Sequence, residues 1–181
     1  ARRSIGRRWT SMMILEGADS VGKTTAALRI CEMTGVKRRH MSKPPEDFDH
    51  STEYLERCFH GVQDRYHLGA LVYGRMLNLG TYPTAETMRQ VQAYLRWQGC
   101  LVVCLVADRP WLEERLLKNP KSEMYSNSLI LDANDAYRSI AEASNRGERY
   151  VDVVHNVSTQ GWPTDGHIER WIELWTALWN R

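Results

Sequence analysis

Residues 12–25 constrain the fold of this chain more than any other stretch: Met12-Met13-Ile14-Leu15-Glu16-Gly17-Ala18-Asp19-Ser20-Val21-Gly22-Lys23-Thr24-Thr25. An apolar run enters a turn that needs glycine, and helix-forming residues follow at once. Gly17, Gly22, Lys23 and Thr24 satisfy the pattern G-x-x-x-x-G-K-[ST]. In that pattern successive backbone N–H groups curl round phosphate oxygens, the lysine ammonium reaches the outer phosphates, and the hydroxyl ligates Mg²⁺. The helix opened by the same residues adds its positive N-terminal dipole. The strand before and the helix after are the context the mechanism requires. A nucleotide triphosphate such as ATP is therefore expected on Gly17, Ala18, Asp19, Ser20, Val21, Gly22, Lys23, Thr24 and Thr25, with Thr24 on Mg²⁺.

At 181 residues the chain is expected to form one domain, residues 1–181, with a real core. The formal net charge is +2, and Arg2, Arg3, Arg7 and Arg8 all precede the first strand. The rest is close to neutral, which argues against a nucleic-acid-binding body and leaves a basic tail, residues 1–10, read as solvated. Cys31, Cys58, Cys100 and Cys104 form no C-x-x-C pair and suit a reducing cytoplasm better than a disulfide framework. The start of the chain has no apolar signal-peptide core, and the apolar run 100–107 is too short to span a bilayer. A cytoplasmic location without membrane contact is the expectation.

Strands alternate with helices along the sequence. Helix 24–33 stops before Gly35, and a short, unusually polar strand is expected over 36–41, ended by Ser42-Lys43-Pro44-Pro45. Residues 47–59 read as a helix, 61–63 as a brief strand landing on Asp64-Arg65-Tyr66, and 68–77 as a helix broken at 80–83. Thr84 is a good N-cap for helix 85–98, and Gly99 closes it. Leu101 to Ala107 is the clearest buried strand, unalternating as a central parallel strand should be. Asp108-Arg109-Pro110 opens another helix, a polar loop covers about 118–127, and Ile130, Ala133, Tyr137, Ile140 and Ala141 mark a helical stripe. A fifth strand is expected over 150–154, then a terminal helix over 167–179 whose Trp171, Trp175 and Trp179 read as core. The predicted fold is a three-layer α/β/α arrangement of about five parallel strands flanked by helices.

Phosphate binding alone names no reaction. The chain has no N-K-x-D tetrad for guanine, which argues against a signalling GTPase. An apolar strand ending in Asp, as motor-type ATPases need, is present at 101–108, but no acidic partner follows it. A small kinase fits better, because Asp64 at a strand end can hold Mg²⁺ water ligands while Arg65 grips a second phosphate bidentately. Lys23, Asp64 and Arg65 are the candidate catalytic residues, and Thr24 and Asp64 the candidate metal residues.

Leu15-Glu16-Gly17-Ala18-Asp19-Ser20-Val21-Gly22-Lys23-Thr24-Thr25 resembles the phosphate loop of thymidylate kinases, and Asp64-Arg65-Tyr66 looks like that family's D-R-Y motif. Asp108-Arg109-Pro110 with Glu114-Arg115 is similar to its D-x-P…E-R segment, and Lys121-Ser122-Glu123 with Tyr137 and Ala141 to its lid and following helix. His67-Leu68-Gly69 and Tyr73-Gly74 look more like the compact members found in bacteriophages. The resemblance spans residues 12–155, with the first two motifs its specific part. It implies a nucleotide-biosynthesis kinase that transfers phosphoryl from ATP, with Mg²⁺, to a deoxynucleoside 5′-monophosphate (dNMP). Asp19 would bond the acceptor's 3′-hydroxyl, and Arg65 its phosphate. Tyr66 and Gly69 would lie on the acceptor side, and Tyr73 would crowd the sugar 2′ position. Arg115, Lys118 and Lys121 are implied as a basic lid over the transferring phosphoryl group, which adds Arg115 and Lys121 to the catalytic candidates, and His155 with the loop to Thr159 as the border of adenine. Ser42-Lys43-Pro44 replaces the family's Arg-Glu-Pro, Gly69 replaces a Ser, and Ser20 stands where some members have Arg. The acceptor base, dTMP alone or several dNMPs, therefore stays open.

The incoming nucleophile would be a phosphate oxygen needing no strong base, so catalysis would be alignment plus charge neutralisation. Two alternatives stand: a deoxynucleoside kinase phosphorylating a 5′-hydroxyl, and a non-enzymatic nucleotide-binding module whose Arg-rich tail docks on nucleic acid. Small nucleotides are the expected partners, with a homodimer the assembly to test.

Overall fold

The apolar run that reads as a central strand becomes β4, Leu101–Val106, with every residue buried. It pairs in parallel with β1, Met12–Glu16, equally buried on both faces. The computed structural model describes residues 11–41, 48–79, 82–119 and 125–180. The basic tail, Ser42-Lys43-Pro44 and Lys121 lie outside the described residues. β2 (Lys37–His40), β3 (Gly61–Asp64) and β5 (Val153–Asn156) complete a five-stranded sheet of order β2-β3-β1-β4-β5, and every pairing is parallel. The predicted α/β architecture is the one observed. β2 and β5 are the edges, which explains why β2 can be as polar as Lys-Arg-Arg-His.

Helix α1 (Lys23–Thr34) packs with the terminal α8 (Asp165–Trp179), while α3 (His67–Met76) and α5 (Arg109–Lys118) both pack on α6 (Asn127–Ala143). Between β3 and β4 the chain also forms α4, Ala85–Trp97, capped by the Thr84 side chain accepting the Thr87 N–H at 3.1 Å. Gly99 follows it with φ 68°, the left-handed conformation expected of a closing glycine. Trp171 and Trp175 are core residues as their spacing predicts, whereas Trp179, in the last turn of α8, is only half-buried and lies against His60. The Trp175 indole N–H donates to Ser11 Oγ at 2.6 Å, which in turn donates to the Gly99 carbonyl. The cysteines are free. Among the described residues no helix is long and apolar enough to cross a membrane.

Two expectations need correction. The helix expected over 47–59 shrinks to α2, Glu53–Glu56. Asp49 Oδ1 accepts both the backbone N–H and the hydroxyl of Ser51, a local turn that competes with helix, while Phe48 and His50 pack edge-on or tilted against Tyr54. The fifth strand starts three residues late. Asp152 exchanges two bonds with Val102, one from its side chain and one from its backbone, and regular pairing begins only beyond it. After β5 a short helix, α7 (Val157–Gln160), was also not foreseen.

The carboxyl end of β4 is fixed by a side chain from the opposite layer. Asn134 of α6, wholly buried, accepts the Ala107 N–H at 3.0 Å and donates to the Ala107 carbonyl at 2.8 Å. Truncation leaves both backbone groups unsatisfied in a dry site, a cost of about 1–3 kcal/mol each. Asn134→Ala is expected to lower stability by about 2–4 kcal/mol, read as a reduced urea midpoint at unchanged m-value; a loss under about 1 kcal/mol would show that water replaces the amide.

Candidate functional site

Parallel pairing brings the carboxyl ends of β3, β1 and β4 to one edge, where the chain leaves each strand in a turn. The turn after β1 is the predicted phosphate loop. Gly17 takes φ 138° and lies so close to the Leu105 carbonyl of β4 that a Cβ would collide with it. Gly22, φ 90°, opens α1, and a Cβ there would stand 2.8 Å from the Trp162 ring. Ser20 is also left-handed, φ 67°. These conformations turn the loop back on itself at the N-terminus of a helix, the geometry that presents N–H groups to an anion.

Lys23 is buried and donates to the Ala18 carbonyl, with Asp19 Oδ1 3.9 Å away. Burial lowers its ammonium to about 8, despite the opposing fields of Asp64 and Glu16. Thr24 Oγ1 donates to Asp64 Oδ2 at 2.8 Å, so the two expected metal residues meet across α1 and β3. The neighbouring strand β2 sends two more groups to the same oxygen: Arg38 Nη2 at 2.7 Å and His40 Nδ1 at 3.4 Å. Burial pushes the Asp64 carboxyl upward, but the bonds from Arg38 and Thr24 and the charge of Lys23 outweigh it and hold it below the usual range. Arg38 and His40 escaped the sequence reading, although a strand period of two places both on one face beside Asp64.

Arg65 sits at the turn after β3 with φ 67°, uncommon for a residue with a side chain. Its N–H donates to the Leu15 carbonyl at 3.0 Å, its guanidinium pairs with Asp19 of the phosphate loop, and it lies 5.6 Å over the Tyr73 ring. Tyr73 itself is buried and stacked with Tyr125 at 5.2 Å. Asp19, Arg65 and Tyr73 thus come together as expected.

Other expected residues do not reach the site surface. The reversal at Arg65 turns Tyr66 inward, where its ring packs edge-on against Tyr54 at 4.9 Å and its hydroxyl donates to the Tyr54 carbonyl. Gly69 faces the interior too: a Cβ would meet Tyr137 Oη at 3.3 Å and Glu16 Oε2 at 3.5 Å. Both therefore belong to the interior rather than to the surface of the site. His155 is buried, its Nε2 donating to the Gly161 carbonyl at 2.9 Å, so it closes the loop after β5 instead of facing a base. Lys118 pairs along its own exposed helix with Glu114.

Arg115, expected in the lid, reaches the phosphate loop. Its Nε donates to the Ser20 carbonyl at 3.0 Å, and its guanidinium lies 4.3 Å over the Trp162 ring. Trp162, partly exposed, also packs edge-on against Trp111 at 5.4 Å. No periodicity or motif in the sequence announced it. Asp108, the alternative strand-end carboxylate, pairs with Arg138 at 3.0 Å and accepts from Asn156 at 3.2 Å, so Thr24 is matched to Asp64 instead.

Among the described residues no cluster of three or more His, Cys, Asp or Glu could hold a metal by itself. A Mg²⁺ bound chiefly through phosphates and water needs only one or two protein oxygens. The Thr24–Asp64 pair fits that demand, because Asp64 Oδ1 is buried without a hydrogen-bond partner.

No family model and no curated protein sequence matches this chain. Its fold is similar to that of the YorR protein from Bacillus subtilis, solved in complex with phosphorylated GDP, with a TM-score of 0.72 and 20% identity over 94% of this chain and 99% of that one. A gluconokinase from Sinorhizobium meliloti 1021 gives a TM-score of 0.55 and 16% identity over 96% of each chain. At these identities the likeness is one of fold, the P-loop α/β/α fold.

The depressed Lys23 makes anion binding pH-dependent. Below about pH 8 the ammonium is charged; above it the charge must be restored when an anion binds. Inorganic sulfate, which does not titrate in this range, is expected to bind more weakly above about pH 8 and to take up a proton there. Calorimetry in buffers of different ionisation enthalpy reads both effects, and a flat profile would assign the charge to another group.

Proposed function

We propose that the protein transfers the γ-phosphoryl group of ATP to a deoxynucleoside 5′-monophosphate, giving the diphosphate, with residues 1–181 forming one catalytic unit. The observation that carries this reading is the pairing of Arg65 with Asp19. It places a guanidinium suited to a second phosphate directly against the loop that holds the first. The buried Nε of Arg65 has no partner, so the fork keeps a donor to offer. The fold shared with YorR, which was solved with phosphorylated GDP, agrees with nucleotide use.

Lys23 neutralises charge on the transferring group, and the backbone of residues 17–24 cradles the donor phosphates. Thr24 and Asp64 would hold Mg²⁺, which supplies charge neutralisation across the donor phosphates when bound. Arg115 stands in for the arginine absent at Ser20 by fixing that residue's carbonyl and so the curvature of the loop. Trp162, against Gly22, offers the donor base a stacking face that the buried His155 does not. In the step itself an oxygen of the acceptor phosphate bonds to the γ-phosphorus, the bond to the β–γ bridging oxygen breaks, and ADP leaves. Arg65 aligns the nucleophile, and Tyr73 disfavours a 2′-hydroxyl.

The deoxynucleoside kinase alternative needs a general base for a 5′-hydroxyl. Glu16 cannot serve: both its oxygens are buried and accept protein donors. An ATP-coupled screen of all four dNMPs, their nucleosides and the ribonucleotides separates the readings; turnover of nucleosides alone, or of nothing, would overturn ours. Arg65→Ala is expected to cut kcat/KM for the acceptor about 100-fold or more while the protein stays folded. Tyr73→Ala should reduce the deoxy-over-ribo ratio of kcat/KM about tenfold or more, and an unchanged ratio would remove Tyr73 from sugar selection.

A further inference from the structure

Glu16 ends β1 one residue before the phosphate loop and is wholly buried. Its Oε1 accepts the backbone N–H of Tyr66 at 3.0 Å and of Leu68 at 2.9 Å, and its Oε2 accepts the Tyr137 hydroxyl at 3.3 Å. The first two donors belong to the opening turn of α3, where no residue of the helix supplies a side-chain cap. A carboxylate from the neighbouring strand does that work instead, satisfying groups that would otherwise be orphaned in a dry interior. Arg65 immediately precedes this turn in a left-handed conformation, and its own N–H is held by Leu15, the residue before Glu16.

We propose that Glu16 is a positioning residue that sets Arg65 for the acceptor anion by capping α3 from β1, and that Tyr137 of α6 steadies it through Oε2. The inference rests on the assignment of Arg65 to the acceptor phosphate. Two successive residues of β1 grip the segment around Arg65: Leu15 holds its amide, and Glu16 holds the amides one and three positions later. The strained φ of Arg65 is thus fixed from both sides, and its guanidinium is directed toward Asp19. Gly69 completes the arrangement, because a Cβ there would crowd the Tyr137 hydroxyl at 3.3 Å and leave the carboxylate in ordinary contact at 3.5 Å.

Glu16→Met keeps the length of the side chain and removes the acceptor; Glu16→Gln keeps an oxygen for both N–H groups. Hydrogen exchange at the Tyr66 and Leu68 amides reads the cap without any substrate. It should accelerate about tenfold or more in Glu16→Met and less than threefold in Glu16→Gln. With the dNMP that binds wild type most tightly, calorimetry should give an acceptor Kd raised about tenfold or more in Glu16→Met. The Kd of a non-hydrolysable ATP analogue should change less than threefold, and Glu16→Gln should restore the acceptor value to within threefold. Should Glu16→Met fail to fold, Tyr137→Phe, which removes only one hydroxyl, should raise acceptor Kd about threefold with the donor value unchanged. Equal losses of donor and acceptor binding, or a Glu16→Gln variant as impaired as Glu16→Met, would overturn the proposal. If wild type neither binds nor phosphorylates any dNMP, the functional reading fails separately, and unchanged amide exchange in Glu16→Met would overturn the cap on its own.

Discussion

The structure depends on β1 lying at the centre of the sheet, hydrogen-bonded on both sides, and ending in a turn that passes directly over β4. A strand in that position has no freedom to lean, so the chain leaving it must reverse within van der Waals reach of the Leu105 carbonyl. Only glycine satisfies that approach at φ 138°. Once Gly17 has made the turn, Ser20 and Gly22 complete the loop and α1 begins with Lys23 folded back under it. The same strand reaches sideways as well, through the Leu15 carbonyl and the Glu16 carboxylate, and fixes the turn that carries Arg65. The phosphate loop and Arg65 are therefore positioned by three successive residues, the last two of β1 and the first of its turn.

Two buried carboxylates near that strand end show how environment divides their roles. Burial pushes Glu16 up to about 7; the N–H groups of Leu68, Gly69 and Tyr66 and the charge of Lys23 pull against it without overcoming it. Asp64 suffers the same penalty, but a guanidinium, a hydroxyl and an ammonium reverse the direction. Amide dipoles compensate desolvation less than full charges do. The result is a reluctant anion in a structural place and a secure one beside Thr24, where the proposed Mg²⁺ would sit.

The fold was legible because its signals were long: an unalternating run for β4, a glycine-framed loop, and spaced tryptophans of which Trp171 and Trp175 prove to be core. That Asp19, Lys23, Thr24, Asp64 and Arg65 lie together was legible because the loop pattern and the strand-end Asp-Arg pair bring them to one edge of the sheet. What stayed hidden depends on which way a side chain turns. Tyr66 and Gly69 follow Arg65 closely in sequence, yet the left-handed turn sends Arg65 to the site and those two to the core. His155 reads as a loop residue, but β5 starts late enough to absorb it and bury its ring. Arg38 and Trp162 reach the site across the sheet edge and from beyond β5; the strand period shows which face Arg38 takes but not which strand it pairs with, and Trp162 leaves no local pattern at all.

The cations of the site share one further property. Lys23 pairs with Ala18, Arg38 with Asp64 and Arg65 with Asp19, each with an oxygen of the protein itself. A phosphate that recruits one of them exchanges a carbonyl or a carboxylate for an oxygen of a more highly charged group, so the gain is the difference between the two bonds. The cost avoided is the ordering of long side chains, because each is already held near its working position. Arg65 illustrates the balance best. Its backbone is strained, its guanidinium is paired, and its Nε is buried without a partner, so a bidentate anion satisfies the fork more fully than Asp19 does alone. Under the proposed reading, preorganisation by internal partners weaker than the ligand would let a site rich in positive charge stay folded and still favour phosphate.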